Sequence, residues 1–414
     1  MIRPTSSNPS TQWDSGAAGG TAPVVFDDDI AIDAAAARSL HVAVVGAGAF
    51  GGWTALHLLR AGAKVTLLDA WGPGNARSSS SGETRAMRSV YGGDSGYVLW
   101  TTKARRMWRA LESDTGETLL SQSTVLWMAG EDDHYLRASL PNLSHHGLPF
   151  DELALGDAAR RFPQINFDGV AWVLLEHDAG MLYASLACRT VKDRFVSEGG
   201  IYSRRAAAVS QAAMKTSTLS HLDLSDGTTL SADKFVFACG PWLGELFPEV
   251  IAHLIVPSRQ EVYYLDTPAG DDRFDENHLP VWIDFTDTMY YGFPASTSRG
   301  FKIADDTRGP PIDPTNDDRA PDAESVQRAQ RYLAQRFPAM AGAPLVDARV
   351  CQYSNTPDGH FIIDRHPSAA NVWIVGGGSG HGFKLGPVIG DFVARLVVAD
   401  RAGDPFFALG RFAK

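Results

Sequence analysis

The sequence predicts an α/β fold of two interleaved parts, one built on a parallel sheet and one on an antiparallel sheet. Three observations predict it. First, a β-branched strand, a glycine-rich turn and an amphipathic helix follow one another in LHVAVVGAGAFGGWTALHLLRAGAKVTLLDA, residues 40–70. Second, from 256 to 302 the chain switches to short strands such as EVYYLD, VWIDF, MYYGFP and GFKIAD, the pattern of an antiparallel sheet. Third, NVWIVGGGSGHGFKLGPVIGDFVARLVV (371–398) returns to strand, Gly-rich loop and helix, so the C-terminal segment folds back onto the first part.

In chain order, residues 1–38 are rich in Ser, Gly, Asp and Ala without apolar periodicity, and a disordered or loosely packed extension is expected. His41 to Val45 then reads as a buried strand. Gly46-Ala47-Gly48-Ala49-Phe50-Gly51 fits the glycine fingerprint of a Rossmann-like unit. Gly46 permits the tight turn, Gly48 lets backbone approach a pyrophosphate, and Gly51 allows close helix–strand packing. The following helix (Trp53, Leu56, Leu59) offers free N–H groups and a positive dipole end to phosphate. After a second strand (Lys64 to Leu68), Asp69 stands 23 positions beyond Gly46, placed to accept from a ribose hydroxyl. The motif serves FAD and NAD alike.

WGPGNARSSSSGETRAMRSVYGGDSG is too long for a plain turn and reads as a functional connection. Helices follow at 97–112, 184–200 and 324–337, and a strand at 123–130; 219–242 alternates, turns at Asp226-Gly227 and ends in an apolar strand. The nucleotide-binding parts are therefore expected at 39–122, 179–253 and 351–410, and the antiparallel-sheet parts at 123–178 and 254–350.

Composition narrows the function. Of 414 residues, 44% are hydrophobic and 21% charged, enough to bury a large core. The net charge of −11 argues against a nucleic-acid partner. No apolar run can span a bilayer, and the start MIRPTSSNPS lacks a secretory stretch, so the expected address is the cytoplasm. Cys188, Cys239 and Cys351 are an odd, scattered set that fits a reducing compartment. Cys188 and Cys239 read as core, whereas Cys351 lies in ARVCQYSNTPDGHFIIDRHP (348–367), expected to be a wet loop. His360, His366 and His381 lack zinc-site spacing, and no metal is expected.

Four pieces together resemble the monomeric sarcosine oxidase family of FAD-dependent amine oxidases, over residues 40 to 400. They are the fingerprint with Asp69, Gly82-Glu83-Thr84-Arg85-Ala86-Met87-Arg88, Lys302 after YYGFP, and Cys351-Gln352-Tyr353 followed by HFIIDRHP and GSGHGFK. The resemblance implies FAD held also by Thr84, Gly378, Gly380, His381, Gly382, Phe383 and Lys384, and bonded through its 8-methyl group to the sulfur of Cys351. It implies that Arg88 and Lys384 hold a substrate carboxylate, for which a planar fork and a point charge are suited. Arg85 would stand against the flavin and Lys302 would promote reaction with oxygen. Tyr290, Tyr291 and Tyr353 would line the substrate pocket. Two departures stand out: Ser81 replaces a histidine, and Asp306 stands where the family has a histidine facing the substrate. An acidic group there would repel a second carboxylate and could bind a substrate cation.

The expected partners are thus a small amino or imino acid and molecular oxygen, with an imine and hydrogen peroxide as products; a monomer is compatible with the sequence. Three other readings stay open: a flavin dehydrogenase with a non-oxygen acceptor, a nicotinamide dehydrogenase, and a non-catalytic flavin protein.

Overall fold

A computed structural model describes residues 30–131, 133–210, 213–215, 217–295 and 299–413. Its six-stranded sheet is centred on His41–Val45, whose HVAVV sequence is buried beyond the first residue, as parallel strands covered on both faces require. Lys64–Leu68 and then Ile201–Ser203 pair parallel on one side; Lys234–Phe237 and Val372–Gly376 pair parallel on the other. Ile362–Arg365 closes that edge antiparallel. Helix Ala49–Ala61 ends at Gly62, whose φ of 106° lets its N–H reach Leu58 O and Leu59 O. Helix Gly386–Val398 packs against it so closely that a Cβ on Gly390 would stand 2.6 Å from the carbonyl carbon of Trp53.

The second sheet has nine strands. From one edge they run Leu345–Asn355, Val256–Leu265, Phe301–Asp305, Tyr290–Phe293, Val281–Phe285, Leu120–Ala129, Trp172–Tyr183 and Thr84–Met87, with Phe150–Leu153 also on Trp172–Tyr183. Pairing is antiparallel except between Val281–Phe285 and Leu120–Ala129, which run parallel. The expected helices appear as Ser95–Thr115, Ala184–Ser197 and Ala323–Arg336; the last is capped by Asp322, which accepts from Ser325 N–H at 2.8 Å. Among the described residues no helix is long and apolar enough to cross a membrane.

Four expectations need correction. The boundary at 350/351 falls inside Leu345–Asn355, so Cys351 sits in a strand paired with Gln260, half-buried, and not in a wet loop. Thr84–Met87, expected within a nucleotide-binding part, belongs to the nine-stranded sheet, because its ladder partner is Gly180–Tyr183. That same strand, Trp172–Tyr183, also runs across the boundary at 178/179. Ladder pairing sets where a strand ends, and composition along the chain does not show it. Residues 1–29 lie outside the described residues, but the rest of the expected extension is packed. Ile30 and Ala37 are buried, Asp33 caps helix Ala34–Arg38, and Arg395 donates to Ile30 O at 2.8 Å.

Candidate active site

A cavity of about 420 Å³ lies at the carboxyl ends of the parallel strands, where open α/β sheets bind ligands. Val45, Gly46, Asp69, Ala238 to Gly240 and Gly376 to Gly378 line it. Gly46 has φ 103°, and a Cβ there would meet Ala238 O at 2.4 Å. Gly48 begins helix Ala49–Ala61 with no side-chain cap of its own, so that helix end faces the cavity; Ser80 Oγ accepts from Ala49 N–H at 3.1 Å. Asp69 is oriented by the N–H groups of Ala47 (2.8 Å), Trp71 (2.9 Å) and Gly72 (2.6 Å), and its Oδ2 retains acceptor capacity. A dipole end for pyrophosphate, a carboxylate for ribose and side-chain-free glycines for close approach make a donor set that fits FAD.

A second, smaller cavity of about 80 Å³ adjoins it. Arg85, Tyr353, Gly380 and Phe383 line both, so they form the common wall. Arg85 is fixed there by donating to Thr84 O (2.8 Å), Ser79 O (2.9 Å) and Ser81 O (2.7 Å), and it lies 5.8 Å from the Phe383 ring. Gly380 has φ 79°, and a Cβ on it would touch the Tyr353 ring at 3.0 Å. Gly382 lets Phe50 close in: its Cβ would fall 2.6 Å from Phe50 Cζ.

The smaller cavity is cationic at one end. Arg88 and Lys384 are 5% and 3% exposed. The Arg88 guanidinium donates to Val90 O and lies 4.8 Å from the Tyr91 ring and 5.4 Å from that of Trp127. Lys384, in the turn before helix Gly386–Val398, donates to His381 O at 3.2 Å and also sits 4.8 Å from the Tyr91 ring. Burial first, then the charge of Arg88, lowers the Lys384 ammonium well below its usual range. His381 lines the cavity but is tied elsewhere: Nε2 faces Gly359 O at 3.0 Å and Nδ1 the Tyr91 hydroxyl at 3.2 Å.

Asp306 also lines this cavity. Its Oδ1 accepts from the Tyr353 hydroxyl at 2.7 Å, and the Tyr291 hydroxyl stands 3.4 Å from that of Tyr353. Burial pushes its carboxyl up to about 7, against the opposing hydrogen bond from Tyr353 and the charge of Arg88. Tyr290 does not join the pocket. Side chains alternate along strand Tyr290–Phe293, and Tyr290 stacks on Tyr332 at 4.0 Å instead.

Besides Tyr290, four expected residues line neither cavity: Gly51, whose part is helix packing, and Lys302, Thr84 and Cys351. Lys302 is 3% exposed and donates to Thr84 O (3.1 Å) and Thr84 Oγ1 (3.3 Å), 4.6 Å from the Phe293 ring. Burial, then the charge of Arg85, lowers its ammonium to about 7. Thr84 is itself buried, and its carbonyl accepts from both Arg85 and Lys302. Cys351 shares a strand face with Tyr353 and packs near Val262, Tyr264, Ala304 and Tyr291. The structure adds Tyr91 and Glu176 to the site. Glu176, 1% exposed, accepts from Ser89 N–H, and its carboxyl is pushed up to about 7 by burial against the pull of Ser89 and Arg88. Its position in...VLLEHDAG... gave no signal, because an acidic residue in an apolar strand also fits a solvent-facing site.

Comparison with known proteins agrees with this geometry. Residues 41–396 match the model of the FAD dependent oxidoreductase family. The peroxisomal sarcosine oxidase of Mus musculus is 30% identical over 362 residues, 85% of this chain and 90% of that protein. The monomeric sarcosine oxidase of Arthrobacter sp. (strain TE1826) is 27% identical, covering 88% of this chain and 94% of that one. Among solved structures, L-proline dehydrogenase from P. horikoshii shares the fold with a TM-score of 0.77 at 19% identity, over 90% of this chain and 97% of that chain. The chain belongs to the FAD-dependent oxidoreductase family, as a relative of the sarcosine oxidases.

Proposed function

We propose that this chain oxidises a C–N bond of a small amino or imino acid to an imine, with molecular oxygen as electron acceptor and hydrogen peroxide as product. The observation that carries the reading is the smaller cavity: two buried cations in a space of about 80 Å³ that shares a wall with the cofactor cavity. FAD, when bound, supplies the acceptor for a hydride from the carbon beside nitrogen. Arg88 and Lys384 hold the substrate carboxylate, and the apolar walls of Trp127, Ile283, Phe285 and Phe293 exclude water. Asp306 disfavours a second carboxylate in the substrate. The names of relatives, sarcosine oxidase and N-methyl-L-tryptophan oxidase, support an amino acid as the substrate class.

The same reading has the flavin bonded to Cys351, whose strand face it shares with Tyr353 of the cofactor cavity. Acid precipitation tests this: yellow in the pellet supports the bond, and yellow in the supernatant removes it. An anaerobic bleaching screen across N-methyl, cyclic and primary amino acids tests the reaction. Bleaching by none of them would sink the proposal. One observation favours a dehydrogenase instead: Lys302 lines neither cavity. Oxygen consumption during turnover separates the two.

A further inference from the structure

We propose that Asp306 is the catalytic base that takes the proton from the ammonium group of the bound substrate. The inference rests on the C–N oxidation reading and deepens it. An amine protonated at neutral pH has no lone pair to support the cation that develops as its carbon gives up hydride. The proton must therefore leave before hydride transfer, and a group in the cavity that takes it speeds the reaction at neutral pH.

The residues lining the cavity leave one candidate among those described. Arg85 and Arg88 cannot accept a proton under these conditions. Lys384 donates to His381 O, and the C–N oxidation reading assigns it to the substrate carboxylate. His381 has both ring nitrogens engaged, with Gly359 O and with the Tyr91 hydroxyl. Tyr291 and Tyr353 keep their protons, since burial raises both hydroxyls far above their usual range. Asp306 is the one carboxylate on the lining.

Its surroundings suit the task. The Tyr353 hydroxyl, backed by Tyr291, fixes Oδ1, while Oδ2 has no protein donor among the described residues. The backbone N–H of Asp306 donates to Met289 O at 2.7 Å, which anchors the residue just beyond strand Phe301–Asp305. The charged and titratable groups around it are Tyr353 and Tyr291 from neighbouring strands, Arg85, Arg88, His381 and Lys384 on the cavity lining, and Asp305 and Arg308 on its own segment. Burial brings the carboxyl close to neutrality, where a base works best. In the step itself, an N–H bond of the ammonium breaks and an O–H bond forms on Asp306. The pair left on nitrogen becomes the second bond of C=N when hydride departs, and Asp306 returns its proton to solvent once product has left.

The test follows anaerobic bleaching of holoenzyme by rapid mixing, with sarcosine, glycine, L-proline, L-pipecolate and N-methyl-L-tryptophan as probes. For the fastest probe, the limiting rate at saturation is measured against pH for wild type, Asp306→Asn and Asp306→Glu. We expect Asp306→Asn to lower the limiting rate at pH 7 by about 10²-fold or more, the range general-base catalysis supplies. The rate should then recover about tenfold per pH unit towards the pKa of the free amine, and Asp306→Glu should restore part of it. Benzoate, a carboxylate without nitrogen, should still perturb the flavin spectrum with a dissociation constant within about twofold of wild type, which reports an intact pocket. If Asp306→Asn keeps the wild-type limiting rate and pH profile and only binds the amino acid more weakly, the residue is a cation site and the proposal is overturned. A wild type bleached by none of the probes overturns the oxidation reading, and this proposal with it.

Discussion

Gly51 and Gly52 are adjacent in helix Ala49–Ala61, yet alanine should act on them with opposite sign. At Gly51 an added Cβ would stand 1.9 Å from Gly46 O, 3.0 Å from Gly46 C and 3.1 Å from Ala238 Cβ. The first of these is a backbone atom, so no rotamer relieves the clash. The helix start must move by at least about 1 Å to reach the 3.0 Å that real contacts allow. The turn cannot yield instead, because Gly46 is itself wedged against Ala238 O. Overpacking of this kind costs about 1–3 kcal/mol, against a gain of about 0.8–1 kcal/mol in helix propensity. The displaced segment is also the helix end that lines the larger cavity, where the proposed reading seats the pyrophosphate, so FAD should be lost with the stability. At Gly52 the nearest atom to the new Cβ is a side-chain methyl, Val191 Cγ1 at 3.3 Å, which has only tenths of an ångström to yield. Thermal melting and the ratio of FAD to protein report both effects. We expect Gly51→Ala to melt a few degrees lower with most of its FAD missing, and Gly52→Ala to match or exceed wild type in both. A Gly51→Ala protein with full FAD and an unchanged Tm would refute the reasoning.

Other changes probe the smaller cavity. Arg88→Gln removes a charge-assisted contact of about 1.5–3 kcal/mol and should raise the dissociation constant of benzoate about 10–100-fold; Lys384→Met should do so to a lesser extent. An unchanged benzoate titration in both variants would move the carboxylate site elsewhere. Lys302→Met should leave substrate reduction largely intact while slowing reoxidation by oxygen about 10²–10³-fold, and oxygen reactivity that survived the change would end the role given to Lys302. Glu176→Gln addresses stability. The folded Glu176 carboxyl titrates near 7 against 4.5 unfolded, so its neutral form favours the fold below about pH 4.5 and that contribution is lost as pH rises to 7. The loss amounts to about 3 kcal/mol. The variant should therefore melt progressively higher than wild type from pH 5 to pH 8, and a gain that shrinks with pH would contradict this.

Local features of the site were legible in the sequence, and those set by distant pairing were not. The Gly46–Gly51 turn and Asp69 could be read because their spacing is itself the geometry: a tight turn, a close approach and a helix end all lie within a few residues. Arg88 and Lys384 could be placed only through family resemblance, since 296 positions separate them and their meeting depends on the whole fold. Glu176 escaped notice because a strand residue declares its face only through its partners, here Val125 and Phe150. Thr84–Met87 was hidden by the glycines and serines before it, and its place at the edge of the nine-stranded sheet is set by Gly180–Tyr183, almost a hundred residues on. Lys302 shows the reverse: its strand was foreseen, but its side chain turns to the Thr84 carbonyl and not to either cavity.

The order of strands in the six-stranded sheet also bears on how the protein is made. Lys234–Phe237 lies between His41–Val45 and Val372–Gly376, and Gly380 and Phe383 beyond Gly376 complete the wall between the cavities. During synthesis, the fingerprint turn leaves the ribosome more than 300 residues before that wall exists. Until then the helix start at Gly48 has no roof, and strand Lys234–Phe237 keeps one edge open to mispairing. Closing a loop of that length is slow compared with local helix formation. Capture of the flavin is thus expected late, after synthesis, and a nascent chain stalled before residue 370 should hold the fingerprint yet fail to retain FAD in a pull-down of stalled chains.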